Sequence, residues 1–275
     1  LMGAINWTGI AEIDFRWTGR AEDKPYLIEV NPRASRTAPF VSKATGISWA
    51  RVAAKVMAGK QLSEIGVTEE VVPNFVSVKE VVFPFGKFPG VDVVLGPEMR
   101  STGEVTGSDR NFAMAFLKGK MAANQPLPKE GTVFLSVRES DKDQAVGIAS
   151  ELVNLGYRVY CTSGTHRHLA SHGIKTDLLN KIVEGRPNAI DLIKNGEIDL
   201  IINTPTRKGA GTDEGKLRAT AVRSGIPMIT TTTAGVAAAH AMSAMQAFLG
   251  HELMAATLRG DQSRIAVAST EISAA

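Results

Sequence analysis

The chain has 275 residues and a mass of 29.3 kDa, more than one average domain, so it reads as one large or two modest domains. Hydrophobic residues make up 44% and charged residues 21%, ordinary globular usage that excludes disorder, collagen and coiled coil as whole-chain descriptions. The net charge of +3 is scattered rather than striped, which gives nucleic-acid binding no support and leaves small anionic ligands open.

The single cysteine, Cys161, excludes a disulfide framework and a thiolate zinc site. It fits a reducing, cytoplasmic compartment. No apolar run reaches the roughly 18 residues of a membrane span. The opening Leu1-Met2-Gly3-Ala4 lacks the basic and apolar regions of a signal peptide, and the chain is expected to begin inside a longer protein.

Residues 9–16 (GIAEIDFR) alternate apolar and polar side chains and predict a strand; 26–30 (YLIEV) predict a second one. The polar stretch 18–25 is a turn, so the two strands should pair as a hairpin. A helix is expected from about Pro39, and another over 48–57, ended by Ala58-Gly59. Residues 76–82 predict a strand, 83–97 a Pro/Gly-rich loop, and 111–120 a helix. Residues 124–129 (NQPLPK) have linker composition, and the expected domains are 1–125 and 126–275.

Beyond that point strands and helices alternate. Strands are predicted over 132–137, 157–162, 200–203 and 227–231, and helices over 142–155, 165–172, 188–195, 213–224 and 234–248. This is the pattern of an α/β fold with a doubly wound parallel sheet, whose ligands bind at the carboxyl ends of the strands.

Asp14 closes the first strand, and Glu29 and Asn31 lie two residues apart on the second, hence on one face. Paired in register, they give two carboxylates and an amide oxygen, a hard-oxygen set suited to Mg²⁺ or Mn²⁺ bridging ATP phosphates. Arg33 and Arg36 follow at once and can fork onto phosphate oxygens. A plain solvated hairpin face satisfies the same spacing. A second group is Thr162-Ser163-Gly164-Thr165, which leaves a strand and enters a helix. It suits either a phosphate cradle or ordinary helix capping. His168 and His172 stand four apart on a helix, a zinc-compatible spacing, but no Asp, Glu or Cys nearby completes a set.

The stretch YLIEVNPRASRTAPFVSKATG resembles the carboxyl-terminal part of an ATP-grasp domain, where a strand ends in E-x-N-P-R. More narrowly, with SVKEVVFPFGKFPGVDVVLGPEMRSTGEV at 77–105 and GRPNAIDLIKNGEIDLIINT at 185–204, it is similar to the large chains of carbamoyl phosphate synthetases over residues 9–260. The resemblance implies an ATP-grasp end over 1–125 and a methylglyoxal-synthase-like allosteric domain over 126–275. It implies Glu29 and Asn31, with Asp14 where that family has glutamine, as metal ligands of a carbamate-phosphorylating ATP site. Arg33 and Arg36 would contact phosphate or carbamate, and a potassium ion is a further candidate.

On the second half, the resemblance implies a nucleotide monophosphate site at Ser136, Lys142, Thr162, Thr165, Lys181 and Asn203, with UMP and IMP as bacterial effectors. Pro205 replaces an expected phosphate-binding threonine. Ornithine would bind through Glu80, Asp213 and Thr230. Implied partners are a glutamine amidotransferase subunit and further copies in a homo-oligomer of heterodimers, and the implied pathways are arginine and pyrimidine biosynthesis. The glycine-rich lid and adenine pocket of the ATP site are missing, so no catalysis is expected from this stretch alone. A free-standing effector module and a methylglyoxal synthase are the alternatives. The second lacks the Gly-Gly-Asp element its chemistry needs in 203–215.

Overall fold

The computed structural model describes residues 8–17, 19–20, 24–82, 103–205 and 212–259. The loop expected over 83–97 lies outside the described residues. Two compact units divide the chain, residues 1–77 and 78–275.

In the first unit, β1 (Glu12–Arg16) and β2 (Tyr26–Asn31) form the expected antiparallel ribbon. A register shift falls between Asp14 and Phe15, a bulge that leaves one residue of β2 unpaired and turns the strand. Three helices follow: α1 (Thr37–Thr45), α2 (Trp49–Met57) and the short α3 (Leu62–Ile65). Pro39 sits in the first turn of α1, where an N–H has no intrahelical partner to lose. Trp49 Nε1 donates to Thr45 Oγ1 at 3.0 Å, tying the start of α2 to the end of α1. The sequence reading missed α3. A capping box holds it: the Gln61 side chain and the Glu64 carboxylate each satisfy a backbone N–H of the other's turn.

The second unit opens within β3 (Val76–Val82), which pairs with β4 (Gly103–Asp109) in a two-stranded sheet. Helix α4 (Phe112–Ala122) packs on β4, its first turn capped by Asn111 accepting from the Met114 N–H at 2.9 Å. The approach is close. A Cβ on Gly107 would lie 2.1 Å from the Ala115 carbonyl oxygen and 2.3 Å from the Gly119 nitrogen.

The main sheet has the order β7-β6-β5-β8-β9, all neighbours parallel. Its strands are β5 (Thr132–Ser136), β6 (Arg158–Thr162), β7 (Asp177–Leu179), β8 (Leu200–Asn203) and β9 (Met228–Ile229). Helices α5 (Lys142–Asn154), α6 (Ser163–Ser171) and α9 (Thr232–Arg259) supply side chains to one apolar cluster, with Leu135, Ile148, Leu152 and Met242 at or near zero exposure. Helices α7 (Ala189–Lys194) and α8 (Asp213–Arg223) supply the other, around Phe134, Ile193, Ile201 and Leu217. Neighbours on β5, Leu135 and Phe134, fall into opposite clusters because strand side chains alternate. All four residues of β8 are buried, as a central parallel strand covered on both faces requires.

Phe116 and Leu117 of α4, together with Leu127, join the first cluster. Packing therefore puts α4 and the segment after it with the sheet. Among the described residues no helix is long and apolar enough to cross a membrane.

Candidate functional sites

The ribbon register sets Asp14 opposite Glu29 and Glu12 opposite Asn31, so all four side chains share one face. Asn31 Nδ2 donates to Glu29 Oε1 at 2.8 Å, and Arg33 Nη2 reaches Asn31 Oδ1 at 3.5 Å. The three residues expected as a hard-oxygen set are thus brought together, and Arg33 joins them. Arg36 occupies the N-cap position of α1 without making a side-chain cap. Glu12 is the neighbour that sequence reasoning passed over; its Oε1 accepts from the Thr37 hydroxyl at 2.8 Å, which draws it toward α1.

Partial loss of hydration, then the charges of Glu12 and Glu29 and a hydrogen bond with Glu29, hold the Asp14 carboxyl above its ordinary range. Crowded carboxylates of this kind favour a proton or a cation between them. The donor chemistry fits a hard divalent ion. Among the described residues, however, no group of three or more His, Cys, Asp or Glu is placed to hold a metal, so the ribbon offers two carboxylates and an amide rather than a full cage.

A cavity of ≈ 770 Å³ opens at the carboxyl edge of the parallel sheet, where a doubly wound fold leaves its crevice. Ser136, Thr162 and Asn203 end three adjacent strands and all line it. Ser136 Oγ and Thr162 Oγ1 are 2.9 Å apart. Thr165 Oγ1 accepts from the Val137 N–H at 3.3 Å. Lys142, at the start of α5, reaches Glu139 Oε2 at 2.6 Å, while Lys181 Nζ lies 3.5 Å from Glu184 Oε1. Asn203 is 6% exposed; its Nδ2 donates to the Ser136 carbonyl at 2.9 Å, and its Oδ1 has no hydrogen-bond partner among the described residues. A buried acceptor left unpaired is costly unless a ligand or water completes it.

All six residues expected for an effector site therefore line one cavity. Sequence reasoning missed Arg138 and Glu139 there, while Thr204, which follows Asn203 at the strand's end, lines the cavity as well. Thr204 Oγ1 accepts from the Arg138 N–H at 2.9 Å, and Arg138 Nε pairs with Asp141 Oδ2 at 2.9 Å. Burial pushes the Asp141 carboxyl up, but hydrogen bonds from Thr204, Arg138 and Ser140 outweigh it and hold the group below its usual range. Ile182, Val183, Ala189 and Leu217 add apolar side chains to the lining.

The three residues expected to hold ornithine are not joined by any hydrogen bond or ion pair among the described residues. Asp213 opens the first turn of α8 and lines the cavity at the sheet's carboxyl edge. Thr230 follows β9. Glu80, on β3, is held by Lys120 Nζ at 2.9 Å, with side-chain exposures of 16% and 8%.

His168 Nε2 lies 3.2 Å from Asp143 Oδ1 without hydrogen-bond geometry, and the His168 and His172 rings are 4.8 Å apart. His166 Nδ1 instead meets Thr176 Oγ1 at 2.8 Å. No third ligand completes the pair among the described residues. Burial pushes the Cys161 thiol up to about 12, so it stays protonated and acts as core.

Residues 1–65 match the family model for the carbamoyl-phosphate synthase L chain, ATP binding domain, and residues 144–230 match the model for the MGS-like domain. Carbamoyl phosphate synthase large chains from Rhodopirellula baltica and Pseudomonas putida are 50% and 52% identical over 248 and 220 residues, or 90% and 80% of this chain. The chain belongs to the carbamoyl phosphate synthase large-chain family. It spans 23% and 20% of the length of those two relatives. Among solved structures, a methylglyoxal synthase from Elizabethkingia anophelis overlaps 40% of this chain and 79% of its own, at 18% identity and a TM-score of 0.34. Membership in the large-chain family accounts for both halves at once: the acidic ribbon lies in the stretch matched by the ATP-binding model, and most of the cavity lies in the stretch matched by the MGS-like model.

Proposed function

We propose that this chain is the regulatory stretch of an ATP-dependent carbon–nitrogen ligase that makes carbamoyl phosphate from bicarbonate and ammonia or glutamine. The functional division falls at 125/126, with an ATP-grasp end before it and an effector domain after it. The observation that carries this reading is the cavity, whose lining combines hydroxyls, lysines and a buried carbonyl oxygen unpartnered among the described residues with apolar side chains. That combination suits a phosphorylated nucleoside better than bare phosphate, because apolar lining can pack against a base.

UMP and IMP are the effectors we assign to it, with Ser136, Thr162, Thr165, Lys142 and Lys181 toward the phosphate and Asn203 toward a ligand donor. Ornithine, if it acts through Glu80, Asp213 and Thr230, would have to exchange its ammonium for that of Lys120 on Glu80.

On the ribbon, Asp14, Glu29 and Asn31 would hold Mg²⁺ or Mn²⁺. When bound, such an ion neutralises charge on ATP phosphates during phosphoryl transfer. Arg33 and Arg36 would bind and orient phosphate or carbamate oxygens, and K⁺ is a further ion for the site. In the complete enzyme the partners would be a glutamine-hydrolysing small subunit and further heterodimers. The setting would be the cytoplasm, in arginine and pyrimidine biosynthesis.

Calorimetric titration of the chain with UMP and IMP tests the effector reading, with dihydroxyacetone phosphate turnover assayed in parallel. Saturable nucleotide binding without turnover is expected. Turnover would mark the cavity as a lyase site and overturn the regulatory assignment. In a full-length relative, replacing the residue equivalent to Glu29 with Gln should abolish ATP formation from ADP and carbamoyl phosphate; undiminished synthesis would reject the ribbon's role.

A further inference from the structure

The lysine expected to meet a phosphate is not waiting empty-handed. The Lys142 side chain is 14% exposed, and its ammonium lies 2.6 Å from Glu139 Oε2. Glu139 is 87% exposed and sits on the 3-10 turn Glu139–Asp141 that leads into α5. The pair is therefore lopsided. The enclosed ammonium needs an anion beside it, whereas the hydrated carboxylate can leave for water at little cost.

The same ammonium rests over the first turn of α6: a Cβ on Gly164 would be 3.5 Å from Lys142 Nζ. The opening N–H groups of a helix lack intrahelical partners and favour anions. Among the described lining residues, Arg138, Lys142, Lys181 and Lys216 stand with Glu139, Asp213 and Glu214. Three of those cations, Arg138, Lys142 and Lys181, already carry internal counterions.

We propose that Glu139 is the resident counterion of Lys142 and is displaced by the phosphate group of an incoming ligand, which makes it a determinant of anion affinity in this cavity. The proposal rests on the effector reading above and names how that site is held between binding events. The hydrogen bond from Lys142, with smaller contributions from His168 and Arg167, holds the Glu139 carboxyl below its usual range, so the counterion is charged at neutral pH. Displacement moves one carboxylate into water and leaves Lys142 to the ligand.

The test is calorimetric titration of the full chain with inorganic phosphate at low ionic strength, for the wild type, Glu139→Gln, Lys142→Met and the double variant. Glu139→Gln should bind phosphate about three- to fivefold more tightly, as loss of one partly exposed competing ion pair implies. In the Lys142→Met background the same change should have no effect. If the wild type binds phosphate and Glu139→Gln binds it equally or more weakly, the displacement proposal is wrong. A gain that persists without Lys142 also overturns it. If the wild type binds neither phosphate nor UMP, it is the effector reading of the cavity that fails.

Discussion

Asp14 stands directly opposite Glu29 across the β1–β2 ribbon, so two carboxylates face one another, with the Asn31 amide donating to Glu29. The folded ribbon consequently holds the Asp14 proton more tightly than an extended chain does. The sign follows from that. This residue favours the folded ribbon in acid, and its contribution is lost as pH rises through its raised pKa. Asp14→Asn should slow hydrogen exchange of the ribbon amides at pH 7 and leave it unchanged near pH 3. Equal effects at both pH values would show that charge crowding is not the cause.

The Lys120–Glu80 pair makes a second prediction. Both side chains are largely enclosed, and Lys120 also lies 5.7 Å from the Phe116 ring centroid. Removing only the lysine leaves an uncompensated carboxylate between β3 and α4. Lys120→Met should destabilise the chain by about 3 kcal/mol, and adding Glu80→Gln should recover most of the loss. Chemical denaturation of the two variants measures both; an additive double variant would mean the ions do not compensate one another.

Gly107 is a packing prediction. With backbone atoms at 2.1 and 2.3 Å from an added Cβ, neither β4 nor α4 can yield by rotating a side chain. Gly107→Ala should cost about 3 kcal/mol or more, while Gly147→Ala, which meets nothing within 4 Å, should be neutral or slightly stabilising because alanine favours the helix. Thermal melting separates the two.

Tyr157 is 4% exposed, and its hydroxyl lies 2.7 Å from the Pro128 carbonyl and 2.6 Å from that of Lys129. Burial pushes its phenol up to about 12. Alkaline difference absorbance should therefore show a tyrosine that ionises near pH 12, and Tyr157→Phe should delete that step. The same change leaves the Pro128 carbonyl without its donor, Lys129 O keeping the one from Gln246, and should lower stability by about 1 kcal/mol.

Most of the main sheet was legible because its strands are unbroken apolar runs, such as Leu200–Asn203, bounded by polar turns. Strand β4 was not: GEVTGSD contains two glycines and little apolar periodicity, and it is a strand because β3 and α4 hold it there. Strand β7 escaped because three residues carry no pattern. Helix α9 runs past its expected end at 248, since nothing in GHELMAATLR except a tolerated glycine breaks a helix. At the cavity, hydroxyls and lysines at strand ends could be read directly. Glu139 could not, because its role arises only where the turn after β5 brings it against Lys142.

Residues 124–129 have the composition of a hinge, yet they are pinned. Tyr157, just before β6, reaches two of their carbonyls, Gln246 of α9 donates to Lys129 O at 3.3 Å and to Leu155 O at 3.1 Å, and Leu127 is sunk in the core. The segment works as a splice, not a swivel. The end of α4 and the start of β5 are therefore joined by a segment fixed along its length, held from Tyr157 and α9 at once.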